Sequence, residues 1–227
     1  MDQEIAKEAA GKRAASLVET GTIIGLGSGS TALAFISALI YRVEKEGLQV
    51  QTVASSRASL RAAEKGGLKV LDINAVSHID LTVDGADEID PQKRMIKGGG
   101  GAHVREKILA SSSKEMIVIV DPSKQVPRLG RAKLPVEVIF FGSPATRHKI
   151  EERGFQGKWR MQQDGTLFVT ENGNLLFDIH FPTPPASPEE VHETLIQIPG
   201  VVDTGFFFGL AGRVIVGHPD GTTEILA

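Results

Sequence analysis

At 227 residues, 41% hydrophobic and 23% charged, the chain can bury a substantial core as one large domain or two small ones. No stretch reaches the roughly 18 apolar residues of a membrane span, and a net charge of −3 with dispersed basic residues offers no footprint for nucleic acid. The absence of cysteine excludes disulfides, thiolate catalysis and Cys-ligated metal, and suits a reducing compartment.

The N-terminal MDQEIAKEAAGKRAASLVE reads as an amphipathic helix of mixed charge without the features of a secretory signal, so a cytoplasmic protein is expected. Strand-like and helical runs then alternate: TIIGLG and TALAFISALIYRVE, VQTVASS and RASLRAAEKGG, LKVLDI, IDLTVDG, a helix near VREKILASS, and MIVIVD. This pattern predicts an α/β fold with a mostly parallel sheet. Ligands bind such sheets beyond the carboxyl ends of the strands. Four polar segments directly follow apolar strands, at Ser28 to Thr31, Ser55 to Ser59, Asp84 to Asp87 and Asp121 to Lys124. They are expected to share one edge.

From about Arg131 the texture changes to LPVEVIFFG, a helical RHKIEERG, KWRMQQ, LFVTENGNLLFDIHF, a proline-rich bend, a helical PEEVHETLIQI and VVDTGFFFG. Turn signals at Asp164-Gly165 and Asn172-Gly173 make this a β-α-β-β-α-β module of ferredoxin-like type. The expected division is a first domain of 1–130 plus 206–227 and a second, smaller α+β domain of 131–205. RVIVGHPDGTTEILA resumes strand character and is expected to return to the first domain.

The densest chemistry lies in DGADEID and KGGGGAHVREK. Proton transfer needs a carboxylate near the reacting carbon, a donor for the developing oxyanion, and exposed amides that a glycine run can supply. Asp84, Asp87, Lys97, the glycines from Gly98 to Gly101 and Glu106 provide these parts. Glu106 is expected in the first turn of a helix opening near Ala102, where the macrodipole favours its ionised form. Taken singly, such aspartates make turns, a glycine run is a flexible loop and REK is a solvated helix face. Turn-making does not call for a lysine between the acidic and glycine segments, so together they read as a site.

GLGSGST at 25–31 lies between a strand and a helix, where free amides and the helix dipole can hold an anion. It lacks the Gly-Lys-Ser/Thr of a Walker A loop. Gly27, Gly29 and Ala32 fit G-x-G-x-x-A, but the next strand ends in Ser55-Ser56-Arg57 where a dinucleotide site calls for an acid. Serine-rich strand ends suit a phosphosugar better. A merely capped helix is the bland alternative. The six histidines show no metal-ligand spacing. Phe206-Phe207-Phe208 reads as core or subunit interface.

These residues resemble the ribose-5-phosphate isomerase type A family, from GTIIGLGSGSTALAFI through SSRAS, DGADEID, MIKGGGGAHVREK, DPSKQV and LPVEV to IPGVVDTG. The resemblance implies a Rossmann-like lobe beside the smaller α+β lobe, a homodimer or a dimer of dimers, and no metal or other cofactor. It implies aldose–ketose isomerisation of ribose 5-phosphate and ribulose 5-phosphate in the non-oxidative pentose phosphate pathway. Glu106 would be the base, with Asp84, Asp87 and Lys97 beside it. Ser28, Gly29, Ser30, Thr31, Asp84, Gly85, Ala86, Asp87, Lys97, Gly98, Gly99, Gly100 and Lys124 would bind the phosphosugar. Ser28 stands where the family often has threonine, and Gly101 and His103 where alanine and a small apolar residue or leucine are usual. A phosphosugar sensor and a deaminase or acyl-CoA transferase of related scaffold are the rival readings. The sensor calls for a DNA-binding module, and the N-terminal twenty residues hold only one helix.

Overall fold

A computed structural model describes residues 2–226. In chain order its elements are α1 (Asp2–Ala15), β1 (Thr22–Leu26), α2 (Gly29–Glu46), β2 (Val50–Ala54), α3 (Arg57–Lys65), β3 (Lys69–Val70), β4 (Ile79–Asp84), β5 (Glu88–Ile89), β6 (Met95–Ile96), α4 (His103–Ser111) and β7 (Ser113–Val120). There follow β8 (Leu134–Val138), α5 (Ser143–Glu152), β9 (Gly157–Trp159), β10 (Leu175–Ile179), α6 (Pro188–Ile196), β11 (Val201–Thr204), β12 (Phe206–Phe207), β13 (Ala211–Gly217) and β14 (Thr223–Leu226). The chain forms two compact units, one of Met1–Ala86, Arg105–Gln125 and Gly209–Ala227, the other of Asp87–Val104 and Val126–Phe208.

The first unit carries a seven-stranded sheet ordered β14-β13-β7-β4-β1-β2-β3, parallel except where β14 runs against β13. Its central strands are apolar on both faces, as a helix-covered parallel sheet requires. Ile24, Leu26, Val83, Ile117, Ile119 and Ile215 join Phe35 and Leu39 of α2 in one buried cluster. The expected strand LKVLDI is shorter than its apolar run. Only Lys69–Val70 pairs, at the sheet edge, before the chain turns through a 3₁₀ segment at Ile73–Ala75. The C-terminal stretch does return here, as β13 beside β7 and β14 beside β13.

The second unit contains an antiparallel sheet ordered β11-β8-β10-β9 with α5 and α6, the order of a ferredoxin-like β-α-β-β-α-β module. Leu134, Val136 and Val138 of β8, Phe177 and Ile179 of β10, Ile150, Leu195 and Phe206 form its core. The run LFV at 167–169 makes only isolated bridges, because turns at Gly165 and Gly173, each at φ +81°, leave little length to pair. A three-stranded sheet, β12-β6-β5, also belongs to this unit. That pairing groups 87–104 with the second unit, whereas sequence texture had joined it to the first domain. Phe206 and Phe207 are buried within the unit. Among the described residues, no helix is long and apolar enough to cross a membrane.

Candidate functional site

Because β1, β2, β4 and β7 run parallel, their carboxyl ends deliver Gly27 to Thr31, Ser55, Asp84 to Ala86, and Asp121 to Lys124 to one edge of the first unit. The edge expected from the sequence is present as far as Ala86, whereas Asp87 belongs to the second unit. Asp84 is fully buried, and its Oδ1 accepts from the backbone N–H of Ser28 (3.0 Å) and of Gly85 (2.7 Å). Two backbone bonds of this kind fix the direction of the carboxylate. Gly27 makes room for it: a β-carbon there would lie 2.1 Å from both Cγ and Oδ1 of Asp84.

Ser28 is the N-cap residue of α2, yet its Oγ bonds to Ser55 Oγ (2.8 Å) instead of capping the helix. Ser56, by contrast, closes a capping box on α3. The first amides of α2 are therefore left without a side-chain cap at the positive end of an 18-residue helix. That favours an anion over the capped-helix alternative. At the end of β7, Asp121 accepts from the N–H and hydroxyl of Ser123 and shapes the 3₁₀ turn that presents Lys124.

In the second unit the glycine run is an ordered loop. Asp87 Oδ2 accepts from Gly99 N–H (2.7 Å), and Asp87 N–H bonds to Ile96 O (2.9 Å). Gly98 (φ +99°) and Gly101 (φ +85°) adopt left-handed conformations that side chains resist. The buried ring of His103 packs against Gly98, where an added β-carbon would come within 2.9 Å of it. Lys97 is 3% exposed, its N–H bonds to Gly205 O (2.8 Å), and its ammonium lies 5.5 Å from the Phe207 ring centroid. Glu106, 5% exposed, lies in the first turn of α4 as expected, although the helix opens at His103.

The first unit accordingly gathers Ser28, Gly29, Ser30, Thr31, Asp84, Gly85, Ala86 and Lys124 at its strand ends and carries Glu106 on α4, while the second holds Asp87 and Lys97 to Gly100. Reading by motif missed Arg160 and Asp178. Arg160 is paired with Asp178 and donates to the carbonyls of Gly98 and Gly99. An arginine and an aspartate 18 residues apart carry no local signal; only the antiparallel pairing of β9 with β10 brings them together. Among the described residues, no group of three or more His, Asp or Glu side chains could hold a metal. A groove of about 860 Å³ between α1 and α2 reaches only Ser30 of the predicted residues. Its walls otherwise carry exposed helix-surface groups such as Glu8, Lys12 and Tyr41, not the buried Asp84, Lys97 or Glu106.

The family model for ribose 5-phosphate isomerase A (phosphoriboisomerase A) matches residues 51–221. Ribose-5-phosphate isomerase A of Protochlamydia amoebophila is 47% identical over 222 residues, 98% of this chain and 95% of the relative. That of Bifidobacterium longum is 44% identical over 96% of this chain and 94% of its own. The ribose 5-phosphate isomerase structure from Plasmodium falciparum superposes with a TM-score of 0.93 at 32% identity, covering 100% of this chain and 98% of that one. A D-ribose-5-phosphate isomerase solved with phospho-erythronic acid gives 0.94 at 33% identity, covering 100% and 99%. With the strand-end acids, the glycine loop and these matches running almost the full length, the chain belongs to the ribose 5-phosphate isomerase A family.

Proposed function

We propose how this chain performs the reaction of its family. The chain is an isomerase that interconverts ribose 5-phosphate and ribulose 5-phosphate. The observation that carries the assignment of roles is three buried ionisable groups at a strand end or adjoining the glycine loop, Asp84 at 0%, Lys97 at 3% and Glu106 at 5% exposure. Burying an ion costs several kcal/mol unless it is paired or hydrogen-bonded, and buried ionisable groups are concentrated at functional sites.

Glu106 takes the proton from C2 and returns it at C1, which converts the aldose to the ketose through an enediolate. Lys97 and the glycine amides stabilise the negative charge that develops on oxygen, and Asp84 and Asp87 help open the furanose ring and move protons between O1 and O2. The uncapped start of α2 with Ser28 to Thr31, and Lys124, hold the phosphate. Remote anchoring converts binding energy into alignment of C1 and C2 with the base. The phosphorylated acid bound by a similar protein supports a phosphorylated sugar as substrate here. The chemistry needs no metal. A homodimer or dimer of dimers in the cytoplasm completes the reading, carried by the resemblance.

Glu106→Gln tests it. Glutamine keeps the size of the side chain and cannot accept the proton. Ribose 5-phosphate affinity by calorimetry is expected to stay within a few-fold, while isomerisation falls about 10²–10⁴-fold. Turnover at the parental rate would remove Glu106 from the mechanism, and a parent that binds without turnover would favour a sensor.

A further inference from the structure

One guanidinium holds two consecutive peptide units of the glycine loop. Arg160 Nη1 donates to Gly98 O (2.9 Å) and to Gly99 O (3.0 Å). Its other face is taken by Asp178, with Nε to Oδ2 at 2.9 Å and Nη2 to Oδ1 at 2.5 Å, a bidentate fork. Lys133 Nζ adds a second cation at Asp178 Oδ2 (2.6 Å). Arg160 is 9% exposed and Asp178 4%.

The backbone of Arg160 is fixed as well, its N–H on Leu176 O (2.8 Å) and its carbonyl accepting from Phe168 N–H (2.9 Å). Its guanidinium lies 5.7 Å from the Phe168 ring centroid, and an added β-carbon at Gly101 would come within 2.7 Å of that ring. The loop therefore rests on a platform of Arg160 and Phe168.

The geometry of the peptide bond turns this platform into an orienting device. In a planar trans peptide the C=O and N–H point in opposite directions. The Gly98 carbonyl faces Arg160, and on the other side of the same unit the Gly99 N–H meets Asp87 Oδ2 at 2.7 Å. The Gly99 carbonyl also faces Arg160, so the N–H of Gly100, an exposed residue, is directed away from the guanidinium. Donation from the one guanidinium to both carbonyls polarises the two peptides and strengthens their N–H groups as donors. Glycine, which otherwise samples the widest range of backbone angles, is here committed to one arrangement.

We propose that Arg160, clamped by Asp178, is a positioning residue for the isomerisation: it aims and polarises the Gly100 amide that receives developing negative charge and the Gly99 amide that holds Asp87, without touching the substrate itself. The inference rests on the proposed role of the glycine loop. A misplacement of about 1 Å in such a donor costs on the order of 10²-fold in rate, and a donor that acts in the transition state is felt in kcat more than in KM.

The test compares Arg160→Lys and Asp178→Asn with the parent. Lysine keeps a charge but cannot fork to Asp178 while reaching two carbonyls. For Arg160→Lys, kcat is expected to fall about 10- to 100-fold with KM within about threefold. Amide hydrogen exchange at Gly99 and Gly100 should speed up while the core strands of the second unit stay protected. Asp178→Asn should move the same quantities in the same direction, less far, and it decides by the same criteria if Arg160→Lys does not fold. In Arg160→Ala, guanidinium at low millimolar concentration should restore part of kcat, which a general loss of stability would not allow. A folded Arg160→Lys with kcat within threefold of the parent, or with Gly99 and Gly100 exchange unchanged, overturns the proposal. Should the parent itself fail to isomerise ribose 5-phosphate, the assigned reaction fails instead, and the exchange data still decide whether Arg160 orders the loop.

Discussion

The two units use buried charge in different ways. At the strand ends of the first, Asp84 is held by two backbone amides in the space that Gly27 leaves, so its surroundings fix one carboxylate at the end of β4. In the second, buried acids are consumed in holding the chain together. Glu88 accepts from the N–H groups of Gly130 and Ala132, and Glu137 Oε1 accepts from Thr170, Asn172 and Asn174. The DGADE motif contains both kinds: Asp84 at a strand end, and Glu88, four residues on, pinning a loop of the second unit. Residue type and burial alone do not identify a catalytic acid; its place at a strand end or adjoining the glycine loop separates the proposed catalytic groups from the structural ones.

Lys97 provides the sharpest way to break that comparison, since it is a buried charge of the second unit assigned to chemistry. Lys97→Met keeps the length of the side chain and removes the charge. The expected loss in kcat/KM is about 10²–10³-fold, comparable to removing an oxyanion donor, with thermal stability little changed or raised. A steady-state assay with ribose 5-phosphate beside a melting curve checks both. A large drop in stability with unaltered kcat/KM would place Lys97 among the structural charges.

Glu137 is the opposite case. It is fully buried, and Glu137→Ala strips the acceptor from one hydroxyl and two side-chain amides at the turn before β10. The expected cost is about 3 kcal/mol of unfolding free energy, read by urea denaturation, with KM for ribose 5-phosphate unchanged. A loss below about 1 kcal/mol would mean that the turn holds without the cluster.

Gly27→Ala addresses both uses at once, because the added methyl meets the Asp84 carboxylate at 2.1 Å. Overpacking of this kind costs typically about 1–3 kcal/mol, and here the yielding group is a proposed catalytic acid. Activity and stability are expected to fall together, measured by kcat/KM and the urea midpoint. Unchanged activity would show that Asp84 need not keep its place between the two amides.

How much of this was legible in the sequence follows from the range over which each signal acts. Strand, loop and helix are contiguous in TIIGLGSGSTALAFI, so the edge bearing Ser28 to Thr31 could be read from periodicity and from glycine placement. Asp84, Lys97 and Glu106 stood out because one short window combined acids, a lysine and glycines. The Ser28–Ser55 bond, the Gly27–Asp84 contact and the grip of Arg160 on Gly98 and Gly99 arise between residues 27 to 62 positions apart. They depend on strand order and register, which one sequence does not display. His103 and Gly101, read as departures from the family pattern, prove to be packing partners of Gly98 and Phe168.

The smallest expected effect contrasts the two ends of the same strands. Asp84 closes β4, whereas Asp80 stands near its start, and Glu115 stands near the start of β7. Asp80 is held below its ordinary pKa of 3.8 by the N–H of Ile23 (2.9 Å) and by Lys114 (2.7 Å). Glu115 is held below 4.5 chiefly by hydrogen bonds from Arg213, at 2.7 and 2.8 Å, against the opposing effect of burial. A depressed folded-state pKa stabilises the protein fully above the unfolded value and loses that contribution as pH falls through the folded one. Both groups therefore give their full contribution above about pH 5 and surrender it progressively below their ordinary values. Lys114 and Arg213 are partly solvated, so the two together supply only about 1 kcal/mol. The double variant Asp80→Asn, Glu115→Gln should unfold at lower urea than the parent at pH 7, with the gap closing as pH falls from about 5 toward 3 and narrowing in 1 M salt. kcat at pH 7 should not change, because these acids lie at the amino ends of the strands and the proposed chemistry lies at the carboxyl ends. A gap that persists unchanged to pH 3 would mean that the two acids stabilise the sheet through packing and not through their charge.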